Sequence, residues 1–330
     1  MGITDLLVTL GNLLKVKHIS EYKNKRIGID AYVWLHKSVY GGNLGMAFEE
    51  NPDAFLIYLH KCIKGIIKYN ITPVFVFDGD KLPLKAKTEF SRELAREARV
   101  LKAKEYLKSG DELKAKLAYI RSIEITPYMA FKFCQMLDKM KIEYYVAPYE
   151  ADAQLAYMIR NKLIDAVCTE DSDLIAYGCT EVIYKLDLKS GWCKTIRYRD
   201  VFENTISKFY NWSSDMFLEY CILSGCDYFR IPGVSSKTAY KLIKKYGCFS
   251  NSKSPKYPFN LNELINQFEK AKSAFTKHII YCPLLKIQKS LDDANILIPE
   301  YLGRIESDIT IVELLVKSYI SPFNYELLLK

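Results

Sequence analysis

The sequence contains little of what zinc sites and disulfide frameworks require. It has only four histidines, and its nine cysteines are an odd number in which no two form a Cys-x-x-Cys pair. Structural zinc sites combine cysteine and histidine ligands at short spacings, and disulfide-rich secreted domains use an even set of cysteines. The sequence therefore argues against both, and predicts reduced thiols in the core or at the surface.

Long apolar runs and targeting signals are also missing. No apolar stretch approaches the roughly 20 residues needed to span a bilayer, and the N-terminus does not have the basic-then-apolar pattern of a secretory signal. The start Met1-Gly2 suggests myristoylation, but Leu6 stands where that motif requires Ser or Thr. We expect a soluble, intracellular, globular protein with no membrane partner.

Charge is present but unevenly distributed along the 330 residues, whose formal net charge is +8. Residues 81–121 carry twelve basic and six acidic side chains, and residues 228–262 carry seven basic and no acidic ones. An acidic remainder flanked by two basic segments suits a protein that grips a polyanion. Lysine-rich runs are also commonly no more than solvated faces, so charge alone leaves nucleic-acid binding and a plain surface equally open.

Seven carboxylates that follow short apolar runs form the most informative pattern. A single Asp after a strand is often only a helix cap, but parallel strands deliver such residues to one edge of the sheet. Carboxylates packed together repel and become protonated unless cations neutralise them, and oxygen ligands favour Mg²⁺ or Mn²⁺. We expect a metal site built from Asp30, Asp78, Glu150, Asp152, Asp171, Asp173 and Asp227.

The order of apolar runs predicts an α/β fold. Three β-rich runs at residues 26–30, 72–78 and 165–169 alternate with segments of helical periodicity, including 53–69 and the residues after Pro148. Such alternation is typical of βαβ units and a largely parallel sheet. Residues 250–258 are predicted to form a loop, and the remainder of the chain to be helical.

Residues 84–122 differ from these connections because they are highly charged and have few apolar positions. Ser109-Gly110-Asp111 divides them into two predicted helices, and the insertion is too long for a plain connection between strands. We interpret the pair as a lid or arch over the acidic edge, with a surface hairpin as the alternative. Later, a Gly turn around Gly233 opens a lysine-bearing helix, an arrangement that binds phosphate without reading bases.

The strings around the acids resemble, in order and spacing, the five-prime structure-specific nuclease family over about residues 1–290. The strings are Met1-Gly-Ile, Val76-Phe-Asp-Gly, Ala147-Pro-Tyr-Glu-Ala-Asp-Ala-Gln-Leu-Ala-Tyr, Thr169-Glu-Asp-Ser-Asp-Leu and Ile222-Leu-Ser-Gly-Cys-Asp-Tyr. Tyr149 before Glu150, Ser172 between the last acids and Trp34-Leu-His-Lys resemble the exonuclease branch more than the flap endonuclease branch. The C-terminal residues also contain no Gln-x-x-Leu-x-x-Phe-Phe box, which a flap endonuclease would carry.

The resemblance implies a fold and a division of the chain. The fold is a PIN-like nuclease core, in which helices flank a largely parallel central sheet, with a helical arch and a helix-two-turn-helix element that binds duplex. One nuclease domain would span residues 1–330. Its parts would be an N-terminal nuclease region (about 1–100), the arch (about 81–125), an internal nuclease region (about 130–290) that holds the helix-two-turn-helix (about 220–250), and a C-terminal helical packing segment (290–330).

The resemblance also implies a two-metal phosphodiesterase that uses two Mg²⁺ ions, for which Mn²⁺ would substitute. Asp30, Asp78, Glu150 and Asp152 would hold one ion, and Asp171, Asp173 and Asp227 the other. Lys85 and Arg92, which lie two helical turns apart on one face, match the basic pair that draws the scissile phosphate onto the metals. Without the resemblance, they would be read as solvated side chains.

DNA contacts are implied at Gly2, Tyr32, His36, Arg96, Gly233, Ser235 and Lys237, and a K⁺ site at Ser224, Ile231 and Val234. Tyr32 and His36 would form a platform for the terminal unpaired nucleotide, since base stacking on such residues contributes about 1–3 kcal/mol; as core residues they would have no such role. The sequence departs from the family in two places. Asp5 replaces a usual Gly, and the spacing from Asp227 to Gly233 is one residue shorter than usual.

We therefore expect a monomeric, nuclear 5′-to-3′ exonuclease of double-stranded DNA that also cuts 5′ flaps. Its substrates would be 5′ ends, nicks, gaps and flaps in mismatch repair, end resection and recombination. A replication flap endonuclease is the alternative, and an inactive nucleic-acid-binding scaffold and an RNA-directed nuclease are more distant ones. The long tail through which the exonuclease branch binds repair proteins is not present, so we interpret the chain as a minimal or shortened homologue.

Overall fold

A seven-stranded sheet forms the centre of the computed structural model, which describes residues 2–40, 53–251, 261–292, 298–323 and 326–328. The strands are β1 (Lys15–His18), β2 (Arg26–Asp30), β3 (Thr72–Phe77), β4 (Tyr144–Val146), β5 (Ala166–Cys168), β6 (Glu181–Tyr184) and β7 (Trp192–Arg197). They lie in the order β1-β7-β6-β5-β2-β3-β4. The five strands from β6 to β4 are parallel, and β7 and β1 are antiparallel additions at one edge.

Thirteen helices in the described residues surround this sheet. They are α1 (Leu6–Thr9), α2 (Ala31–Tyr40), α3 (Ala54–Ile67), α4 (Ala86–Lys108), α5 (Glu112–Ile120), α6 (Pro127–Met140), α7 (Ala151–Arg160), α8 (Asp173–Ala176), α9 (Asp200–Glu203), α10 (Ser214–Ser224), α11 (Ser236–Tyr246), α12 (Leu261–Thr276) and α13 (Ile309–Val316). None of them is long and apolar enough to cross a membrane. The predicted α/β fold with a largely parallel sheet is confirmed.

Both faces of the sheet are buried, which explains why its central strands read as continuous apolar runs. On β3, Val74 and Val76 belong to a core shared with α7, α10, α11 and α12. Phe75 and Phe77 point to the opposite face and pack with α2, α3 and α6. Because side chains alternate between faces along a strand, this single strand supplies both cores.

The charged insertion forms the two helices that the sequence predicts. In α4, which has 23 residues, only Ala103 is buried. Asp111 caps the start of α5, because its carboxylate accepts a hydrogen bond from the Lys114 amide at 3.1 Å. Leu101 and Leu113 are exposed by 62% and 71%. We call α4 and α5 the arch.

The prediction of a wholly helical remainder is wrong between α12 and α13. Strands β8 (Ile279–Cys282) and β9 (Ile287–Ser290) form an antiparallel pair. The β-branched and aromatic run Ile279-Ile-Tyr-Cys favours a strand, and Lys286 adopts a left-handed turn conformation with φ 58°. The predicted packing segment 290–330 contains α13, one short helical turn at Glu300–Leu302 and an isolated bridge between Ile320 and Leu327. Most of the predicted loop at 250–258 lies outside the described residues.

Candidate active site

The carboxyl ends of four neighbouring parallel strands bring six acids to one edge of the sheet, and the loop after α10 supplies the seventh. Asp30 is the last residue of β2, Asp78 follows β3, Glu150 and Asp152 begin α7 after β4, Asp171 and Asp173 follow β5, and Asp227 follows α10. The order β5-β2-β3-β4 makes these strand ends adjacent. The cluster of acids that the sequence predicts at one edge of the sheet is therefore present in the structure.

Three of these acids lie close enough to share a cation. Carboxylate oxygens of Asp152, Asp171 and Asp173 all lie within 4.8 Å of one another. Burial and the neighbouring carboxylates raise the pKa of Asp152 and of Asp173 well above the usual range. The Oδ1 atom of Asp173 is buried and has no hydrogen-bond partner. A buried, unpartnered acceptor among repelling carboxylates fits a bound divalent cation.

Asp30 and Asp78, which lie at the ends of β2 and β3, are held in place by hydrogen bonds. Asp30 accepts hydrogen bonds from the Val33 amide at 3.2 Å and the Thr169 hydroxyl at 3.1 Å. Asp78 accepts one from the Ala151 amide, the first of α7, at 2.8 Å. Burial and the proximity of Asp78 raise the pKa of Asp30 to about 7, and burial raises the pKa of Asp78 to about 6. Both carboxylates are therefore costly to ionise without a counter-charge.

The predicted basic pair reaches the remaining two acids from the foot of the arch. Lys85 Nζ lies 2.5 Å from Glu150 Oε1 and 3.1 Å from Asp227 Oδ2. Arg92 binds both oxygens of Asp227 through one guanidinium nitrogen, at 2.9 and 2.7 Å, and pairs with Glu89 at 2.9 Å. Arg92 on α4 and Lys85 immediately before α4 thus lie where the arch meets the sheet edge.

These cations divide the acids electrostatically into two groups. Burial raises the pKa of Glu150 and of Asp227, but the adjacent Lys85 outweighs it for both, together with Arg92 for Asp227, and both pKa values are lowered. Burial lowers the pKa of Lys85, but the surrounding carboxylates outweigh it and raise that pKa well above its usual value. Glu150 and Asp227 are consequently ionised at neutral pH, whereas burial and crowding raise the pKa values of the acids beside them.

Two further residues support Glu150, and the sequence reasoning did not identify either. The Tyr228 hydroxyl donates a hydrogen bond to Glu150 Oε2, and the Glu150 amide donates one to His278 Nε2 at 3.4 Å. His278 is fully buried at the start of the β8–β9 pair. Tyr228 directly follows Asp227 in a motif, so the sequence carried a signal for it; nothing in the sequence pointed to His278.

Comparison with known proteins assigns the chain to a family. Residues 1–99 match the family model described as the XPG N-terminal domain, and residues 141–227 match the XPG I-region. Over 292 residues the chain is 35% identical to exodeoxyribonuclease 1 of Schizosaccharomyces pombe, covering 86% of this chain and 50% of that protein. It is 31% identical to the DNA damage-inducible protein DIN7 of Saccharomyces cerevisiae, covering 86% of this chain and 67% of that protein. The chain belongs to the exonuclease 1 family of 5′ nucleases.

Membership of the exonuclease 1 family confirms the resemblance to the exonuclease branch. The chain spans 50% of the S. pombe relative and 29% of exonuclease 1 from Oryza sativa. The chain is similar to a solved structure of the catalytic core of Rad2 in complex with DNA substrate, with a TM-score of 0.59 and 18% sequence identity. The match covers 99% of this chain and 91% of the Rad2 chain. That similarity confirms the nuclease-core fold.

Two of the residues predicted to contact DNA, Gly2 and Tyr32, lie beside the acids. Gly2, with φ 87°, lies against the loop that carries Asp171 and Asp173, and a Cβ added to Gly2 would be 2.0 Å from Asp171 Oδ1. Tyr32 is half-buried and lines a cavity of about 430 Å³ that Asp78 also lines. His36 is half-buried, and burial together with Arg92 and Arg96 lowers its pKa.

The turn before α11 is open on its outer side. Gly233 has φ 81° and no atom within 4 Å of an added Cβ, so a phosphate could approach its backbone closely. Ser235 caps α11 by accepting a hydrogen bond from the Thr238 amide at 3.3 Å, and Lys237 is exposed. At the predicted K⁺ site, the Ser224 hydroxyl donates to the Tyr220 carbonyl at 2.8 Å. There too, the amide of Val234 donates to the carbonyl of Ile231 at 3.2 Å.

Arg96 and Asp5 have partners that the sequence did not indicate. Arg96 pairs with Glu124 at 3.1 Å across the base of the arch. Asp5 adopts the left-handed conformation with φ 57° and accepts a hydrogen bond from the Ser236 hydroxyl at 3.2 Å. Gly adopts this backbone conformation without strain, which fits the resemblance, in which a Gly is expected at this position.

Proposed function

We propose that this chain is a Mg²⁺-dependent nuclease that removes nucleotides in the 5′-to-3′ direction from double-stranded DNA and also cuts 5′ flaps. Its substrates are 5′ ends, nicks, gaps and flaps that arise in mismatch repair, end resection and recombination, and it works in the nucleus as a monomer. One observation carries the proposal. From the foot of the arch, Lys85 reaches Glu150 and Asp227 in the acid cluster, and Arg92 reaches Asp227.

The acids are the ligands of the proposed metal ions. An all-oxygen donor set suits Mg²⁺, with Mn²⁺ as a substitute. We assign Asp30, Asp78, Glu150 and Asp152 to one ion and Asp171, Asp173 and Asp227 to the other. The closeness of Asp152 to Asp171 and Asp173 is also compatible with Asp152 serving both ions. When bound, the ions supply an activated water and stabilise the leaving oxygen.

Lys85 and Arg92 orient the scissile phosphate. Both side chains now pair with carboxylates, and a phosphate oxygen can replace those oxygens because it offers the same charge and a similar geometry. The planar guanidinium of Arg92 suits a phosphate particularly well. Positive charge aimed at the phosphate stabilises the additional negative charge that develops in the transition state.

The duplex binds through its backbone, not its bases. The open turn at Gly233, the cap of Ser235 and the exposed Lys237 offer backbone amides and positive charge to phosphates. Gly2, Tyr32, His36 and Arg96 contact the strand near the acids, and Ser224, Ile231 and Val234 hold a K⁺ ion. The names of the S. pombe relative, an exodeoxyribonuclease, and of the solved Rad2 core with DNA substrate agree with DNA as the substrate.

One assay tests this proposal. Purified protein is incubated with blunt, nicked and double-flap DNA duplexes, and with matched RNA duplexes, in Mg²⁺, Mn²⁺ or EDTA. We expect progressive digestion of nicked and blunt DNA from the 5′ end, weaker cutting of flaps, and no product in EDTA or from the Asp173→Ala variant. Single cuts on the double flap alone would instead indicate a replication flap endonuclease. If the wild type cleaved no DNA, or if Asp173→Ala were as active as the wild type, the proposed nuclease activity would be excluded.

A further inference from the structure

The first residues of the chain bind the loop that carries two of the acids. We call residues 2–5 the N-terminal strap. An added Cβ at Gly2 would lie 2.0 Å from Asp171 Oδ1 and 2.8 Å from Asp173 Oδ1, so the strap backbone is in direct contact with these carboxylates. Between them, the Ser172 hydroxyl donates a hydrogen bond to the Ile3 carbonyl at 3.4 Å. The position of the strap therefore affects the position of Asp171 and Asp173.

The middle of the strap binds the loop that carries a third acid. The amide and the hydroxyl of Thr4 both donate to the carbonyl of Gly225, at 3.0 and 3.2 Å. Gly225 lies two residues before Asp227, in the short connection after α10. The strap thus connects two loops, from β5 and from α10, that each hold metal-site carboxylates.

The end of the strap binds the helix of the proposed duplex-binding element. Asp5 Oδ2 accepts a hydrogen bond from the hydroxyl of Ser236, which is buried at the first position of α11. Asp5 has φ 57° and ψ 9°, a conformation that Gly adopts freely and other residues rarely. A carboxylate therefore stands at a position where the backbone favours Gly. The positive end of the α11 dipole also favours a carboxylate at this place.

We propose that Asp5 is a positioning residue that couples the docking of duplex DNA at α11 to the placement of the carboxylates on the two loops. This inference rests on the proposed function, because it requires a duplex backbone at the turn from Gly233 to Ser235. A duplex that binds this turn also fixes Ser236, the next residue. Through Asp5, the strap is then held against Gly225 and Asp171, and the acids keep their spacing for the metal ions.

Four variants test the coupling: Asp5→Gly, Asp5→Asn, Ser236→Ala and the double variant Asp5→Gly/Ser236→Ala. Gly fits the left-handed backbone and Asn keeps an acceptor oxygen without the charge, so folding is retained. Single-turnover cleavage of a nicked duplex in Mg²⁺ gives the rate constant, and binding of the same duplex in EDTA gives Kd. Glu203→Gln, which removes an exposed acid elsewhere, is the matched control and should behave as wild type.

We expect Asp5→Gly and Ser236→Ala each to lower the rate constant about tenfold, since small misplacements at a reacting centre are costly. Kd in EDTA should change by less than about twofold, because no contact to phosphate is lost. Asp5→Asn should have a rate constant close to that of the wild type, because the acceptor oxygen for Ser236 is retained. The double variant should be no slower than either single variant, as for two residues that act through one contact.

Different results would overturn the inference. If Asp5→Gly and Asp5→Asn both tightened DNA binding with no change in rate, Asp5 would act only by repelling phosphate. Additive losses in the double variant would mean that Asp5 and Ser236 act separately. Failure of the proposed function has another signature: the wild type itself would cleave no DNA, in which case both proposals fall, whereas failure of the coupling leaves the wild type active and Asp5→Gly equally active.

Discussion

Lys85 joins two carboxylates from distant parts of the chain, with its Nζ 2.5 Å from Glu150 Oε1 and 3.1 Å from Asp227 Oδ2. Glu150 precedes α7 and Asp227 follows α10, whereas Lys85 lies immediately before α4. Together with Arg92, Lys85 therefore binds the foot of the arch to the acidic edge of the sheet. The charges that attach the arch are also those proposed to receive the phosphate.

Replacement of Lys85 should impair catalysis more than binding. Lys85→Ala removes the positive charge at the phosphate, and we expect the single-turnover rate to fall by about 10²- to 10³-fold, with partial recovery in Lys85→Arg. Rates on a nicked duplex in Mg²⁺ and Kd in EDTA measure the two effects. Lys139→Ala, an exposed lysine on α6, serves as the control. A Lys85→Ala rate near that of the control would contradict the assigned role.

Asp173 should be essential for activity but not for folding. In Asp173→Asn the proposed metal site loses a ligand, and one of the neighbouring charges that, after burial, raise the pKa of Asp152 is removed. We expect cleavage at background level, and a Tm in EDTA equal to or above that of the wild type. Added Mg²⁺ should raise the Tm of the variant less than that of the wild type. An active variant, or an unchanged Mg²⁺ shift, would remove Asp173 from the metal site.

Asp30 and Asp78 should make the stability of the metal-free protein fall as the pH rises. Burial, with Asp78 close by, raises the pKa of Asp30 to about 7, and burial raises that of Asp78 to about 6. Groups with raised pKa values contribute stability that is fully present below the unfolded pKa of about 3.9. That contribution is lost as the pH passes through 6 and 7.

Tm measurements from pH 5 to pH 8 check this dependence, in EDTA and in Mg²⁺. The Tm in EDTA should decrease over this range, and the increase on adding Mg²⁺ should grow, because metal ligands must first lose their protons. In Asp30→Asn the slope in EDTA should be smaller. A Mg²⁺ shift that is the same at pH 5 and pH 8 would contradict the raised pKa values.

A methyl group at Gly2 should disturb the loop that carries Asp171 and Asp173. Gly2→Ala would place a Cβ 2.0 Å from Asp171 Oδ1 and 2.5 Å from the Ser172 hydroxyl, so the loop must move. We expect the cleavage rate to fall by about tenfold or more. Gly178→Ala is the matched control, because Gly178 has a similar φ of 78° but an added Cβ there would approach Tyr198 only to 3.6 Å. Equal effects of both variants would assign the loss to backbone strain alone.

The sequence determined the parts of the site that depend on local pattern. Strands buried on both faces read as continuous apolar runs, so β2 was predicted at its observed bounds and β3 and β5 nearly so. An acid that follows such a strand must lie at the carboxyl edge of a parallel sheet. For this reason the acids Asp30, Asp78 and Asp171 could be placed together without any coordinates.

Tertiary structure decided the contacts that join segments far apart in the chain. Tyr228 and His278 meet at Glu150, and Ser236 meets Asp5 across 231 positions of sequence. The β8–β9 pair was missed because four-residue strands beside a long helix carry little periodic signal. Periodicity reports which face of an element is buried, but not which element covers it. The acids were therefore predictable from the sequence, and only folding decided that Tyr228, His278 and the strap would surround them.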